Sequence, residues 1–216
     1  MDASSSPTLM PLGDAALLVR FGTALSDEAN RRAVGLARKL GEVALPAGVV
    51  EIVPNLVSVL IRYDPRRIGY EALAGELRLL AGLEPSVTNP ARHTIAVRFD
   101  GDDLGELATA VGMTAQAFVA AHNESPLRVL ATGFAPGFVY CGFHGAAMTV
   151  PRRQVVRPMV PAGTVLFAAG QTAIAATPIP TGWHVIGHTD FANFDPAAMP
   201  PVRLQAGDEI AFEATA

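Results

Sequence analysis

The stretch from Ala131 to Asp190 constrains this chain's fold more than any other. Glycines, prolines and aromatics recur every few residues, which marks short strands joined by tight, specified turns. The charge pattern adds a chemical constraint. From Ser125 to Thr189 there is no Asp and no Glu, while Arg128, His144, Arg152, Arg153, Arg157, His184 and His188 all fall within the span. Cationic and neutral groups without local carboxylates suit the holding of an anion, a carboxylate or a phosphate. The same span supplies no carboxylate ligand for Mg²⁺ and no carboxylate general base.

The chain has 216 residues, enough for one large domain or two small ones with a real core. Half of it is hydrophobic and the net charge is −4, so nothing in the balance points to nucleic acid. The single cysteine, Cys141, rules out a disulfide within the chain and fits a reducing compartment. The first ten residues lack the basic and apolar regions of a secretory signal, and no apolar run approaches the ~20 residues of a membrane span. The expected setting is the cytoplasm.

Along the chain, an apolar run predicts a strand over 15–21, after the Gly13-Asp14 turn. Ser26 suits a helix N-cap; Ala29, Ala33, Leu36, Ala37 and Leu40 then recur at helical spacing up to Gly41. Two strands follow over 48–53 and 56–63, then a helix over 69–81 that Gly82 would end, then an alternating strand over 93–99. That order, β-α-β-β-α-β, predicts a ferredoxin-like split unit over residues 8–100. Residues 101–216 begin with two short helices, capped by Asp102 or Asp103 and by Thr114. Many short strands with Gly/Pro turns follow, predicting a β-barrel. The fold class is α+β. The helix pair has the outline of a helix-turn-helix, but AQAFVAAHN carries no Arg or Lys for phosphate contacts.

In GFAPGFVYCGF, Pro136 and Gly137 suit a type II turn, and Phe134, Phe138, Tyr140 and Phe143 crowd around it. This is either a pocket wall or a barrel-closing turn. Arg152, Arg153 and Arg157 sit between Pro151 and Pro158, and no nearby acid in the sequence neutralises them. They read as an anion clamp or as a solvated basic face. His184 and His188 flank a strand beside Trp183, four apart and therefore expected on one side. A general acid–base role suits one of them, but a structural or hydrogen-bonding role is the favoured reading. Two imidazoles with no third ligand at sensible spacing do not predict a metal site. Without a Gly-x₄-Gly-Lys loop there is no P-loop. The inventory binds better than it catalyses, so a reaction here needs a second chain.

Gly-Phe-Ala-Pro-Gly-Phe-Val-Tyr at 133–140, Pro-Arg at 151–152, Val-Pro-Ala-Gly-Thr-Val at 160–165, Gly-Gln-Thr-Ala-Ile at 170–174 and Gly-Trp-His-Val-Ile-Gly at 182–187 resemble the KipI family. That family includes the B subunit of ATP-dependent 5-oxoprolinase, subunit 1 of allophanate hydrolase and part of the carboxyltransferase region of urea carboxylase. The resemblance implies a ferredoxin-like domain followed by a cyclophilin-like β-barrel. It implies a KipA-like partner and, for 5-oxoprolinase, a LamB/YcsF-like third subunit, with ATP spent on opening 5-oxoproline to glutamate. The candidate substrate site comprises Gly133, Phe134, Pro136, Gly137, Phe138, Tyr140, Arg152, Arg153, Gln171, Thr172 and Trp183, with His184 and His188 as catalytic candidates. Two other roles come with the resemblance: inhibition of a histidine kinase, and carboxyl transfer of the allophanate hydrolase or urea carboxylase type. Ala173, Ala175, Ala176, Thr181 and His188 stand where the family usually has Gly, Tyr, Pro, Gly and Arg, and these changes bear on the choice of substrate.

Overall fold

The computed structural model describes residues 6–81 and 90–215. The chain divides into two compact units, 1–89 and 90–216.

In the first unit, β1 (Thr8–Pro11) and β2 (Ala16–Arg20) form a hairpin across the predicted turn. The turn is closed by Leu12 N–H donating to the Ala16 carbonyl at 2.9 Å, with Gly13 at φ +68°. Helix α1 (Asp27–Glu42) starts where Ser26 Oγ accepts from Ala29 N–H at 3.2 Å, and Asp27 and Glu28 lie at its positive end. It runs through Gly41, which does not stop it. Strands β3 (Val49–Pro54) and β4 (Ser58–Tyr63) complete an antiparallel sheet in the order β1-β2-β4-β3. Helix α2 (Tyr70–Ala81) buries Leu73 and Leu77 against the core that also takes Ala33, Leu36 and Leu40 of α1. Gly82, the expected stop, lies outside the described residues.

The strand expected to close this unit belongs elsewhere. β5 (Arg92–Arg98) runs parallel to the C-terminal strand β13 (Glu209–Thr215), in register from Glu209↔Arg92 to Thr215↔Arg98. The division therefore falls at 89/90 instead of 100/101. Alternation identifies a strand but not its partner. Ile95 and Val97 are buried with Leu127 and Ile210 in the second unit's core.

The second unit is a closed seven-stranded barrel in the order β10-β7-β6-β13-β5-β12-β9. The remaining strands are β6 (Leu127–Thr132), β7 (Val139–Gly142), β9 (Thr164–Ala168), β10 (Gln171–Ile174) and β12 (His184–His188). Every strand contributes to one enclosed core, including Val129, Val139, Val165, Phe167, Ile174, Ile186 and Phe212. Helices α3 (Leu104–Ala110) and α4 (Ala115–His122) bury Leu107 and Phe118 in that core, so they are barrel caps. A second apolar layer lies on the outer face, where Tyr140, Leu166, Ala168, Ala173, Trp183 and Val185 pack with Val160 and Ile179. Those last two belong to a separate ribbon, β8 (Arg157–Val160) paired with β11 (Ile179–Thr181). Alternate residues of β9 and β10 thus serve two cores.

Candidate functional site

The turn before β7 has the predicted chemistry. Phe138 N–H donates to the Ala135 carbonyl at 3.1 Å, with Pro136 and Gly137 between them and Gly137 at φ +68°. A Cβ on Gly137 would sit 2.6 Å from the Phe194 Cβ, and the Gly137 carbonyl accepts from Asn193 Nδ2 at 2.8 Å. Gly133 N–H donates back to the Phe138 carbonyl at 3.0 Å. This lock leaves Phe134 at φ +77°, a strained conformation for a bulky residue, with 71% of its surface exposed.

Phe134 heads a continuous aromatic strip. Ring centroids step from Phe134 to Phe138 (5.4 Å), to Tyr140 (4.8 Å) and to Trp183 (6.0 Å), each pair edge to face. The Arg152 guanidinium ends the strip, 5.6 Å from the Trp183 ring centroid. Burial pushes the Tyr140 phenol above its ordinary pKa, and the Arg152 charge opposes this. Among the described residues Arg152 has no carboxylate partner and the Tyr140 hydroxyl makes no hydrogen bond within the protein.

The other two arginines are not free. Asp103, with 4% of its side chain exposed, takes both Arg153 Nη1 and Arg157 Nη2 on Oδ1, the latter at 2.7 Å. Its Oδ2 accepts from Val185 N–H at 2.8 Å. Burial raises the pKa of Asp103, but the Val185 and Arg157 hydrogen bonds outweigh it and hold the carboxyl below the usual range. Asp103 occupies the N-cap position of α3 without capping it. The expectation that no acid neutralises the cluster is therefore corrected for Arg153 and Arg157. Their counter-charge lies 50 residues upstream of Arg153, outside the acid-free span.

His184 and His188 are not brought together. A bulge between Val185 and Gly187 breaks the alternation of β12. His184 faces Phe167 and His188 faces Thr164 across the ladder, three positions apart on β9 and hence on opposite sides. His184 Nε2 donates to the Pro151 carbonyl at 3.1 Å. His188 Nδ1 lies 2.7 Å from Asp100 Oδ1.

Gln171 and Thr172 also separate. Gln171 is buried on the outer side, where its Cγ lies 3.5 Å from the position a Cβ on Gly142 would take. Thr172 points into the barrel, its Oγ1 2.8 Å from both His122 Nε2 and His144 Nε2. His122 Nδ1 meets Asn123 Oδ1 at 2.7 Å. Burial holds His122 down to about 4; burial and then the neighbouring His122 hold His144 down to about 3. Sequence reasoning misses Asp103, His122 and His144 as partners. Only Asp103 carries a signal, an acid before a short helix, and it points to capping. Of the expected site, Gly133, Phe134, Pro136, Gly137, Phe138, Tyr140, Arg152 and Trp183 lie along one strip, with Gln171 on the same barrel face.

A cavity of about 440 Å³ lies in the first unit, lined by Leu40, Val49, Ile61, Leu73 and Leu77 among others, with Glu76 its one charged side chain. It contains none of these residues. Among the described residues no three His, Cys, Asp or Glu converge as a metal site, and no single helix is long and apolar enough to cross a membrane.

The architecture and the strip define an α+β protein whose barrel unit carries an exposed arginine, Arg152, at the end of a mostly buried aromatic row. The chain belongs to the family of carboxyltransferase domains, subdomain C and D, whose model matches residues 7–204. It is 31% identical to the 5-oxoprolinase B subunit of Bacillus subtilis (strain 168), covering 93% of this chain and 90% of that protein. It is also 31% identical to the corresponding 5-oxoprolinase chain of Escherichia coli O157:H7, with 93% of each covered. The crystal structure of TTHA0988 superposes with a TM-score of 0.82 at 38% identity, over 93% of this chain and 40% of that one. The chain thus spans two fifths of TTHA0988. Kluyveromyces lactis urea carboxylase matches with a TM-score of 0.74 at 17% identity, over 97% of this chain and 22% of that one, a likeness of fold.

Proposed function

We propose that this chain is the B subunit of a heteromeric, ATP-dependent 5-oxoprolinase. In this reading Arg152 and the Phe138–Tyr140–Trp183 strip receive 5-oxoproline while partner subunits complete the chemistry. The carrying observation is that Arg152 stands over Trp183 with no carboxylate partner among the described residues, while its two sibling arginines share the carboxylate of Asp103. A carboxylate paired with that guanidinium gains a charge-assisted hydrogen bond. The methylenes of a lactam ring would lie against Phe134 and the accessible part of Tyr140, and the Tyr140 hydroxyl would donate to an oxygen of the substrate. The names of the two relatives favour this substrate over other small amides.

The partners are a KipA-like subunit and a LamB/YcsF-like subunit. In this reading ATP is bound by the assembly and not by this chain alone. The single lysine, Lys39, lies within α1, there is no Gly-x₄-Gly-Lys loop, and the described residues gather no carboxylate cluster for Mg²⁺.

The test is glutamate formation from 5-oxoproline and ATP by the co-purified complex. Arg152→Ala is expected to raise KM for 5-oxoproline by roughly 10- to 100-fold, the worth of one charge-assisted hydrogen bond. Wild-type turnover in both Arg152→Ala and Trp183→Ala would remove the site assignment. No glutamate from a complete assembly would remove the substrate, and full activity of the isolated chain would remove the shared-catalyst idea.

A further inference from the structure

Arg152 is exposed, yet the backbone on both sides of it is tied down. On one side the Pro151 carbonyl accepts from His184 Nε2 at 3.1 Å. On the other, Arg153 N–H donates to the Gly182 carbonyl at 2.7 Å, and the Arg153 and Arg157 guanidiniums end on Asp103. Asp103 is itself held by Val185 N–H at 2.8 Å. His184, Gly182 and Val185 all flank Trp183. The segment carrying the cation is therefore stitched to the segment carrying the indole at three points, and one of them runs through a buried carboxylate contributed by the start of α3.

We propose that His184 and Asp103 are positioning residues that hold Arg152 over Trp183, and that His184 serves through its N–H as a donor to Pro151 without exchanging protons with substrate. This deepens the reading in which Arg152 receives the carboxylate and rests on it for its functional consequence, but the geometric claim stands separately. The surrounding groups support it. A backbone carbonyl can only accept, so His184 Nε2 carries the hydrogen. Its Nδ1 is buried with no partner, and a buried nitrogen without a proton path is a poor general base. Asp103 likewise has both oxygens committed, which leaves it no basic role. Two guanidiniums on one buried carboxylate fix a direction that a single exposed pair would not.

Trp183 is the only tryptophan, so the intrinsic fluorescence of the full chain reports on its own neighbourhood. Arg152→Ala sets the reference change in emission and in acrylamide quenching. His184→Ala and Asp103→Asn are expected to move both observables towards the Arg152→Ala values and to add little in an Arg152→Ala background. Glutamine can place an N–H donor where Nε2 stands but cannot exchange protons as imidazole does, so His184→Gln is expected to restore wild-type emission. In the assembled complex, His184→Ala and Asp103→Asn are expected to raise KM for 5-oxoproline about tenfold with kcat within a few-fold, and His184→Gln to bring KM back.

Removing the charge of Asp103 leaves two half-buried guanidiniums without their acid and risks unfolding; the His184 pair keeps the test decisive in that event. The proposal is overturned if His184→Ala leaves Trp183 emission at wild type, if its effect adds in full to that of Arg152→Ala, or if His184→Gln abolishes kcat while emission is unchanged. Coupled fluorescence changes with no change in KM would leave the positioning intact and overturn the role of Arg152 as the carboxylate receptor.

Discussion

The buried histidine pair predicts a pH dependence of stability whose size follows from the structure. His122 is 1% exposed and ringed by Phe99, Phe118, Phe167 and Phe212; no carboxylate faces it among its contacts. The Asn123 oxygen can only accept, so His122 Nδ1 carries the hydrogen and Nε2 accepts from Thr172. The Thr172 hydroxyl, its one proton spent, accepts from His144 Nε2–H. The bond from Thr172 requires a neutral His122, whereas His144 donates from Nε2 in either state and is kept neutral by its burial and by the neighbouring His122. Their folded values, about 4 and about 3, lie below the ordinary 6.5. For a group whose folded pKa is depressed, the unfolded chain binds the proton first. The stability is therefore fully present above about pH 6.5 and is lost as pH falls towards 4.

Each pKa unit of difference is worth about 1.36 kcal/mol. Between pH 8 and pH 5 each histidine should thus cost the barrel about 2 kcal/mol, roughly 4 for the pair if the sites act independently. That is a large share of the ~5–15 kcal/mol that holds a domain together. Urea unfolding at pH 8, 6 and 5, followed by a probe in the second unit, measures it. His144→Gln keeps a donor for Thr172 but cannot titrate, so its loss over the same interval should be about half that of wild type. The depressed carboxyls of Asp100 and Asp103 give stability that is lost only below about pH 4, outside the window. Equal slopes for wild type and His144→Gln between pH 8 and 5 would refute the reasoning.

Two further outcomes follow from single sites. Gly137→Ala should destabilise the barrel by about 1–3 kcal/mol or more in urea melts. It combines a positive φ with a Cβ 2.6 Å from the Phe194 Cβ and 2.9 Å from the Ala176 Cβ. Cys141 is fully buried and its thiol is pushed well above its ordinary pKa by that burial, so a disulfide reagent at pH 8 should react only as the chain unfolds; prompt labelling of the native protein would contradict this placement.

What is legible in the sequence follows the range of the interactions. The Pro136-Gly137 turn and the Ser26 cap are readable because the residues that decide them lie within three positions of one another. The strand at 92–98 is readable as a strand, but its partner lies more than a hundred residues away, and no local pattern selects β13 over β4. Gln171 and Thr172 are neighbours on a single strand, so alternation alone forbids both from facing one site, and the expectation that they share it fails on that ground. By contrast, the bulge that parts His184 from His188 leaves no sign: the extra residue, Ile186, resembles any strand residue and fills the barrel core.

The charge pattern shows the same limit most sharply. An acid-free span is the strongest chemical signal in the sequence, and it is true of the sequence and only partly true of the site. Charge balance is settled in space. Asp103 comes in from the start of α3, cancels one of the two charges on Arg153 and Arg157, and fastens both. The exposed Asp102 lies 3.7 Å from Arg157 Nη1 and adds a weaker, solvent-screened contact. What is left over is one guanidinium on an indole. Three arginines competing for one small anion would have given a diffuse basic surface. Two of them committed to structure give the third a fixed place, and it is that division of labour, set by an acid outside the motif, that turns a basic run into a candidate receptor for a single carboxylate.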